Sequence, residues 1–366
     1  MDFLRLCLLR SFPPQVVSDA VLGLRPSTSR QYQSSWVAFQ DFVRRQALTW
    51  VSEAVVYDFL SGLFHARGRA ASTITTYLAG LADPLLFGFG LSVRGRVLDL
   101  MRRSFHLRRP PPRPRLVCWS LRRVLDHLRG PGFGVDASPR RLLQKTLFLV
   151  AMASGLRVSQ LHALVRDPAW LVFAVDGSQV SLAPSPRFLA KNEREGRSLP
   201  PLVVRAWLVD GRPHDLCPVL ALRRYLGALP EPQGRLFLWP DTRQPLTRVR
   251  ISRMLCEVIE EADPGCAPRG HDVRSLSATL SFLRHCSLER LRVDGQWGSD
   301  YSFVHHYLDH SLRDVPCVTM SGPPSPGPGP ARPSPLVPGR PSSVGCSPAG
   351  RRPSGGSSSG SSSSSE

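Results

Sequence analysis

The chain is expected to be mainly α-helical with a small antiparallel β-sheet, arranged as two folded domains. Three observations predict this. Helical apolar periodicity runs through residues 27–107. A proline and arginine run, RRPPPRPR at 108–115, interrupts it. The period then changes from helical to alternating over 171–182 and back to helical afterwards. The predicted divisions are an N-terminal extension (1–19), a helical domain (20–107), a linker (108–116), an α+β domain (117–312) and a disordered tail (313–366).

In the helical domain, Ser27-Thr28-Ser29 is placed to cap a helix carrying Tyr32, Trp36, Phe39, Phe42 and Val43 on one face. Val55, Val56, Phe59, Leu60 and Leu63 repeat the pattern, and Ser72 is placed to cap a third helix with Ile74, Tyr77, Leu78 and Leu81. A fourth covers Arg96 to Leu107. These aromatics are expected in a bundle core rather than stacked on bases. The linker prolines forbid continued helix and favour a stiff extended connection. The same basic run also suits phosphate contact or nuclear import.

In the second domain, helices are expected over 119–129, 138–154 and 157–166. Residues 171–175, an Asp176-Gly177 turn and residues 179–182 read as a hairpin. A third strand is expected over Ser198 to Val204, then helices over 217–228, 247–262, 272–285 and 288–295. Beyond 318 the chain is Pro, Gly and Ser, with too little apolar surface to fold.

The formal charge is +19, and arginines run from Arg5 to Arg352, so the folded part is itself basic. Such a field favours a polyanion, most simply nucleic acid. Of the 47 basic residues only Lys145 and Lys191 are lysines, which also fits a genome preferring arginine codons. That bias explains which cation is used, not why cations outnumber the 28 acids. The eight cysteines form no Cys-x-x-Cys pair, and His305, His306 and His310 lack partnering cysteines, so no metal or other cofactor is expected. Reduced thiols suit the nucleus or cytosol. The apolar start, broken by Arg5 and Arg10, is too short to span a bilayer, and no membrane association is expected.

One ordered set of residues points to a reaction. It comprises Arg157 in AMASGLRVS, Lys191 after the hairpin, His271 and Arg274 three apart at a helix start, then Trp297 and Tyr307. Arginines grip two phosphate oxygens at once and stay charged. A lysine near DNA can be tuned to give up a proton at neutral pH, which arginine cannot. A tyrosine hydroxyl is a nucleophile. Taken singly, each has a blander reading: a surface arginine, a lysine placed by chance, a satisfied histidine, a core tryptophan.

The phrases GLRVSQL, FLAKN, LCPVLALRRYL, HDVRSLSATLSFL and WGSDYSFVHHYL resemble the catalytic domain of tyrosine recombinases. They look closest to recombinases of DIRS-type retrotransposons. STSRQYQSSWVAFQDFV and ASTITTYLAGL resemble that family's core-binding domain. The likeness spans roughly residues 20–312.

The resemblance implies cleavage and rejoining of double-stranded DNA through a 3′-phosphotyrosyl bond, without metal or ATP, in recombination or integration of a mobile element. It makes Arg157 and Arg274 the phosphate clamps and Lys191 the general acid. His271 takes a proton-transfer or hydrogen-bonding role, Trp297 donates an indole N–H, and Tyr307 is the nucleophile, with Tyr301 as the rival. It implies a dimer on one site and a tetramer in synapsis, in the nucleus. Gln160 and Ser275 depart from the pattern, standing where relatives often carry an acid and a base. The Pro-rich tail stands where relatives often carry a docking helix or strand. No reverse transcriptase or RNase H motif accompanies the set, as expected for one fragment or reading frame of an element. A DNA-binding protein on the same fold that does not cleave is the alternative.

Overall fold

The structure is a computed structural model that describes residues 3–112, 117–188, 201–231 and 233–284, with isolated positions at 287, 289, 319 and 323. Two compact units divide the chain, one through Val117 and one from Cys118.

The first unit is a helical bundle: α1 (Phe3–Leu8), α2 (Pro14–Leu22), α3 (Pro26–Arg45), α4 (Glu53–His65), α5 (Ala71–Phe89) and α6 (Arg96–Arg108). The apolar face read along α3 goes inward, with Trp36 and Phe39 buried and Phe42 and Val43 packed at the edge. Val56, Phe59, Leu60 and Leu63 of α4 and Ile74, Leu81 and Leu85 of α5 complete the core. Burying each such Leu or Phe contributes roughly 1.5–3 kcal/mol.

Two expected caps are corrected. α3 starts at Pro26 after Arg25, ahead of Ser27, because proline's fixed φ and missing N–H suit the first helical position. α5 starts at Ala71, so Ser72 lies inside its first turn. Ser52, not singled out in the sequence, caps α4 by accepting the Val55 N–H at 3.4 Å. The first residues, to which no element was assigned, form α1 and α2. Phe3 stacks on Trp36 with ring centroids 3.9 Å apart. Leu4, Leu8 and Val17 form a second small cluster with Val21, Leu24 and Phe87. Their helical spacing is hidden in sequence by Arg5 and Arg10, which point outward.

The second unit comprises α7 (Leu121–Arg129), α8 (Pro139–Ser154), α9 (Val158–Ala163), β1 (Leu171–Phe173), β2 (Gln179–Leu182), β3 (Leu202–Arg205), β4 (Leu208–Val209), β5 (Arg212–Pro213), α10 (Pro218–Ala228), α11 (Arg248–Ala262) and α12 (Asp272–Leu283). Helix α8 is the spine. Every residue from Leu142 to Ser154 is buried, against α10, α11, α12 and β3. β1, β2 and β3 form an antiparallel meander in which Leu182 pairs with both Leu171 and Leu202. Val180, Leu182 and Val204 face the core, while Val172 and Val203 face outward.

The first strand ends at Phe173, short of the expected Val175, because the chain is already turning. Ala174 N–H donates to Gln179 O at 3.0 Å, and Gly177 takes φ 72°. The helix expected over 157–166 stops at Ala163. Leu164 and Val165 instead bridge to Pro184 and Arg235. Arg166 turns inward, where its guanidinium donates to Leu236 O and the Tyr225 hydroxyl, each at 3.0 Å. The third strand begins at Leu202 rather than Ser198, and residues 198–200 are outside the described set. The helix expected over 288–295 lies outside the described residues apart from position 289, and the 313–366 tail apart from 319 and 323.

Candidate functional site

The site forms where α8 ends and α12 begins. Gly155 closes α8 in the left-handed region at φ 56°, a conformation that costs a side chain roughly 1–2 kcal/mol. The chain reverses there, and Arg157 takes extended backbone angles as the cap residue of α9. Gln160 is buried, and its Oε1 accepts the Arg157 backbone N–H at 3.0 Å.

Helix α12 is held against α8 by Ser277, whose hydroxyl donates to Met152 O at 2.5 Å. Arg274, only 2% exposed, reaches across to the carbonyl of Gly155. The glycine turn that presents Arg157 is thus the turn that Arg274 grips. One of the five guanidinium donors is used there. His271 precedes α12 by one residue. Burial lowers its pKa first, the charges of Arg274 and Arg157 lower it further, and Asp272 partly offsets them. Burial and the two cations together favour the neutral imidazole. Arg157, His271 and Arg274 are brought together, while Lys191, Trp297, Tyr307 and the rival Tyr301 lie outside the described residues.

This electrostatic arrangement predicts a titration result. Replacing Arg157 by glutamine removes a cation near His271, so the His271 pKa should rise toward its ordinary value. The proton chemical shift of the imidazole, followed against pH, checks it; an unmoved or lowered value would place Arg157 away from His271.

Three features of the site escaped the sequence. The Gly155 carbonyl has no side chain to mark it. Gln160 acts on the backbone of Arg157. Asp272 accepts from the Trp119 indole at 3.3 Å, a partnership across 153 residues that no local spacing signals. The other lysine, Lys145, is buried in α8 and donates to Phe133 O at 3.0 Å; burial lowers its pKa. Among the described residues, no group of three or more His, Cys, Asp or Glu is placed to hold a metal ion. None of the described helices is long and apolar enough to cross a membrane.

No protein-family model and no curated protein matches the chain. Solved structures do. The XerH site-specific recombinase in its post-cleavage complex with palindromic difH substrate has a TM-score of 0.55 at 11% identity, covering 81% of this chain and 81% of that one. XerH in a pre-cleavage complex with difH has a TM-score of 0.53 at 12% identity, covering 83% and 91%. The Tn1549 transposon integrase in complex with transposon right-end DNA has a TM-score of 0.53 at 10% identity, covering 85% and 96%. The likeness is one of fold: a mainly helical chain with small antiparallel sheets, folded as these recombinases and this integrase are.

Proposed function

We propose that the chain cleaves and rejoins double-stranded DNA as a tyrosine recombinase. The observation that carries this reading is that Arg274 grips the glycine turn that precedes Arg157, with His271 within reach of the charges of both arginines. Two permanent cations beside a neutral histidine suit a phosphodiester whose charge grows as it becomes pentavalent. Tyr307 attacks phosphorus, a 3′-phosphotyrosyl bond forms, and the bond to the 5′-oxygen breaks. Lys191 gives that oxygen a proton, releasing a 5′-hydroxyl. Neutral His271 is able to take a proton or bond to the phosphate, and Trp297 donates its indole N–H to a non-bridging oxygen. The bond energy stays in the phosphotyrosine, so rejoining needs neither metal nor ATP.

Chemistry favours Lys191 over Lys145 as the acid, since Lys145 is committed to a buried carbonyl. The proposed setting is the nucleus, in a mobile element of DIRS type, with a dimer on each site and a tetramer in synapsis. A suicide duplex that loses its 5′-hydroxyl strand after cleavage tests the reading. Protein should remain attached to a 3′ end.

One observation favours a second reading, a DNA-binding protein that does not cleave. A neutral Gln160, whose amide oxygen accepts the Arg157 backbone N–H, stands where an acid would orient the Arg157 guanidinium. The same duplex would then be retained without a covalent adduct.

Both readings predict salt-dependent binding. Each neutralised phosphate contributes about 0.9 to the slope of log affinity against log salt, so affinity should fall steeply. Deleting residues 318–366 should cost little, since that segment adds four arginines against one glutamate. Filter binding across a salt series checks this. Loss of most affinity on deletion would make the tail the DNA-binding element.

A further inference from the structure

The segment at the start of the second unit is stitched to the loop that presents His271. Ser120 N–H donates to Asp263 Oδ2 at 2.8 Å, and Arg123 Nη1 meets Asp263 Oδ1 at 2.5 Å. Farther along the loop, Asp272 Oδ2 accepts from two donors, the Trp119 indole N–H at 3.3 Å and the Arg269 backbone N–H at 2.9 Å. One carboxylate oxygen therefore gathers the incoming strap and the turn before α12. Trp119 is 6% exposed, with its ring edge-on to Phe148 at 6.4 Å. A buried indole N–H that loses its acceptor is costly, so the strap is held in place. Gly270 closes the loop against α11, where an added Cβ would lie 2.5 Å from Ser252 Oγ.

Asp272 is the first residue of α12, beside His271 and two before Arg274. A carboxylate in the first turn also complements the helix dipole. We propose that Trp119 and Asp272 act as a pair of positioning residues. They fix where α12 begins, and so how His271 and Arg274 are aimed at the scissile phosphate. The pair does more than brace the fold, because the Asp272 charge reaches His271 and opposes the two arginines there. Slackening the strap removes one of the two donors that hold this carboxylate oxygen, which changes both the aim of the helix start and the field on the imidazole.

This inference rests on the cleavage reading, and its test separates the two. The full chain is compared with Trp119→Phe, Asp272→Ala and the double variant; phenylalanine keeps an aromatic ring against Phe148. Three quantities are measured: single-turnover cleavage of the suicide duplex, DNA affinity, and the His271 titration by NMR without DNA.

Each single change should slow cleavage about tenfold through misplacement, with affinity within about twofold. The double variant should be no slower than the slower single one, as for groups acting through one contact. The His271 pKa should fall in Asp272→Ala, where a neighbouring anion is gone. Trp119→Phe should move it in the unaltered background and leave it unmoved once Asp272 is absent. Additive rate losses, an affinity loss matching the rate loss, or a His271 titration indifferent to both changes would overturn the pairing. If the unaltered protein forms no adduct, the cleavage reading fails, while the titration cycle still decides whether the pair sets the histidine.

Discussion

Tyr307→Phe is expected to abolish the covalent protein–DNA adduct while DNA affinity stays within about twofold, because only the nucleophilic hydroxyl is lost. Nothing else in the proposed set is able to replace it. Arg157 and Arg274 carry no nucleophile, and a histidine adduct would be an acid-labile phosphoramidate rather than a phosphotyrosine. Tyr301→Phe, the matched control, should retain the adduct, since Tyr301 follows Trp297 too soon for the expected spacing. The adduct is read as a band of retarded mobility after incubation with a suicide duplex end-labelled on the strand that keeps its 3′ phosphate. Survival of that band in Tyr307→Phe, with loss in Tyr301→Phe, would move the nucleophile to Tyr301. Loss of DNA binding along with the adduct would instead give Tyr307 a structural role.

Most helices were legible because one face of each must be apolar. Trp36, Phe39, Phe59, Leu60 and Ile74 were read as core and are buried. The strands around Asp176-Gly177 were legible because that dipeptide closes a tight turn. Helix starts were less so, because Ser27 competes with Pro26, and proline's backbone preference decides. α1 and α2 were missed because they are short, and Arg5 and Arg10 break the apolar pattern at the start of the chain.

At the site, the order of Arg157, His271 and Arg274 along the chain signalled a shared task, and the structure brings these three together. What ties Arg274 to the turn before Arg157 is a backbone carbonyl on a left-handed glycine, and backbone groups leave no mark in a sequence. Gln160 shows the same limit from the other side. Its identity suggested a loosened Arg157, whereas its amide oxygen holds the arginine's own N–H. Side-chain type was readable there, and the partner was not. Trp119 and Asp272 are more distant still in the sequence, paired across 153 residues.

The division of labour between clamp and acid predicts a second large effect. Arg157→Ala and Arg274→Ala should each slow cleavage about 10²–10³-fold, because charge on the non-bridging oxygens loses a donor aimed at it. Removing Arg274 also opens space beside the Gly155 turn, so its folding is checked by thermal denaturation. Lys191→Ala should be as slow on ordinary DNA, for a different reason: the 5′-oxygen then leaves as an unprotonated alkoxide. A duplex with sulfur in place of the bridging 5′-oxygen separates the two causes. A thiolate leaves without a proton, so this substrate should restore cleavage by Lys191→Ala to near the unaltered rate. It should leave the arginine variants slow, since their non-bridging oxygens still gather charge. Single-turnover rates on the two substrates check the pattern. Equal rescue of all three variants, or rescue of none, would refute Lys191 as the acid. In a chain with 47 basic residues, lysine stands at only two positions. One is buried against a carbonyl, and the other, which follows β2 and precedes β3 in the sequence, is the proton donor proposed for this reaction.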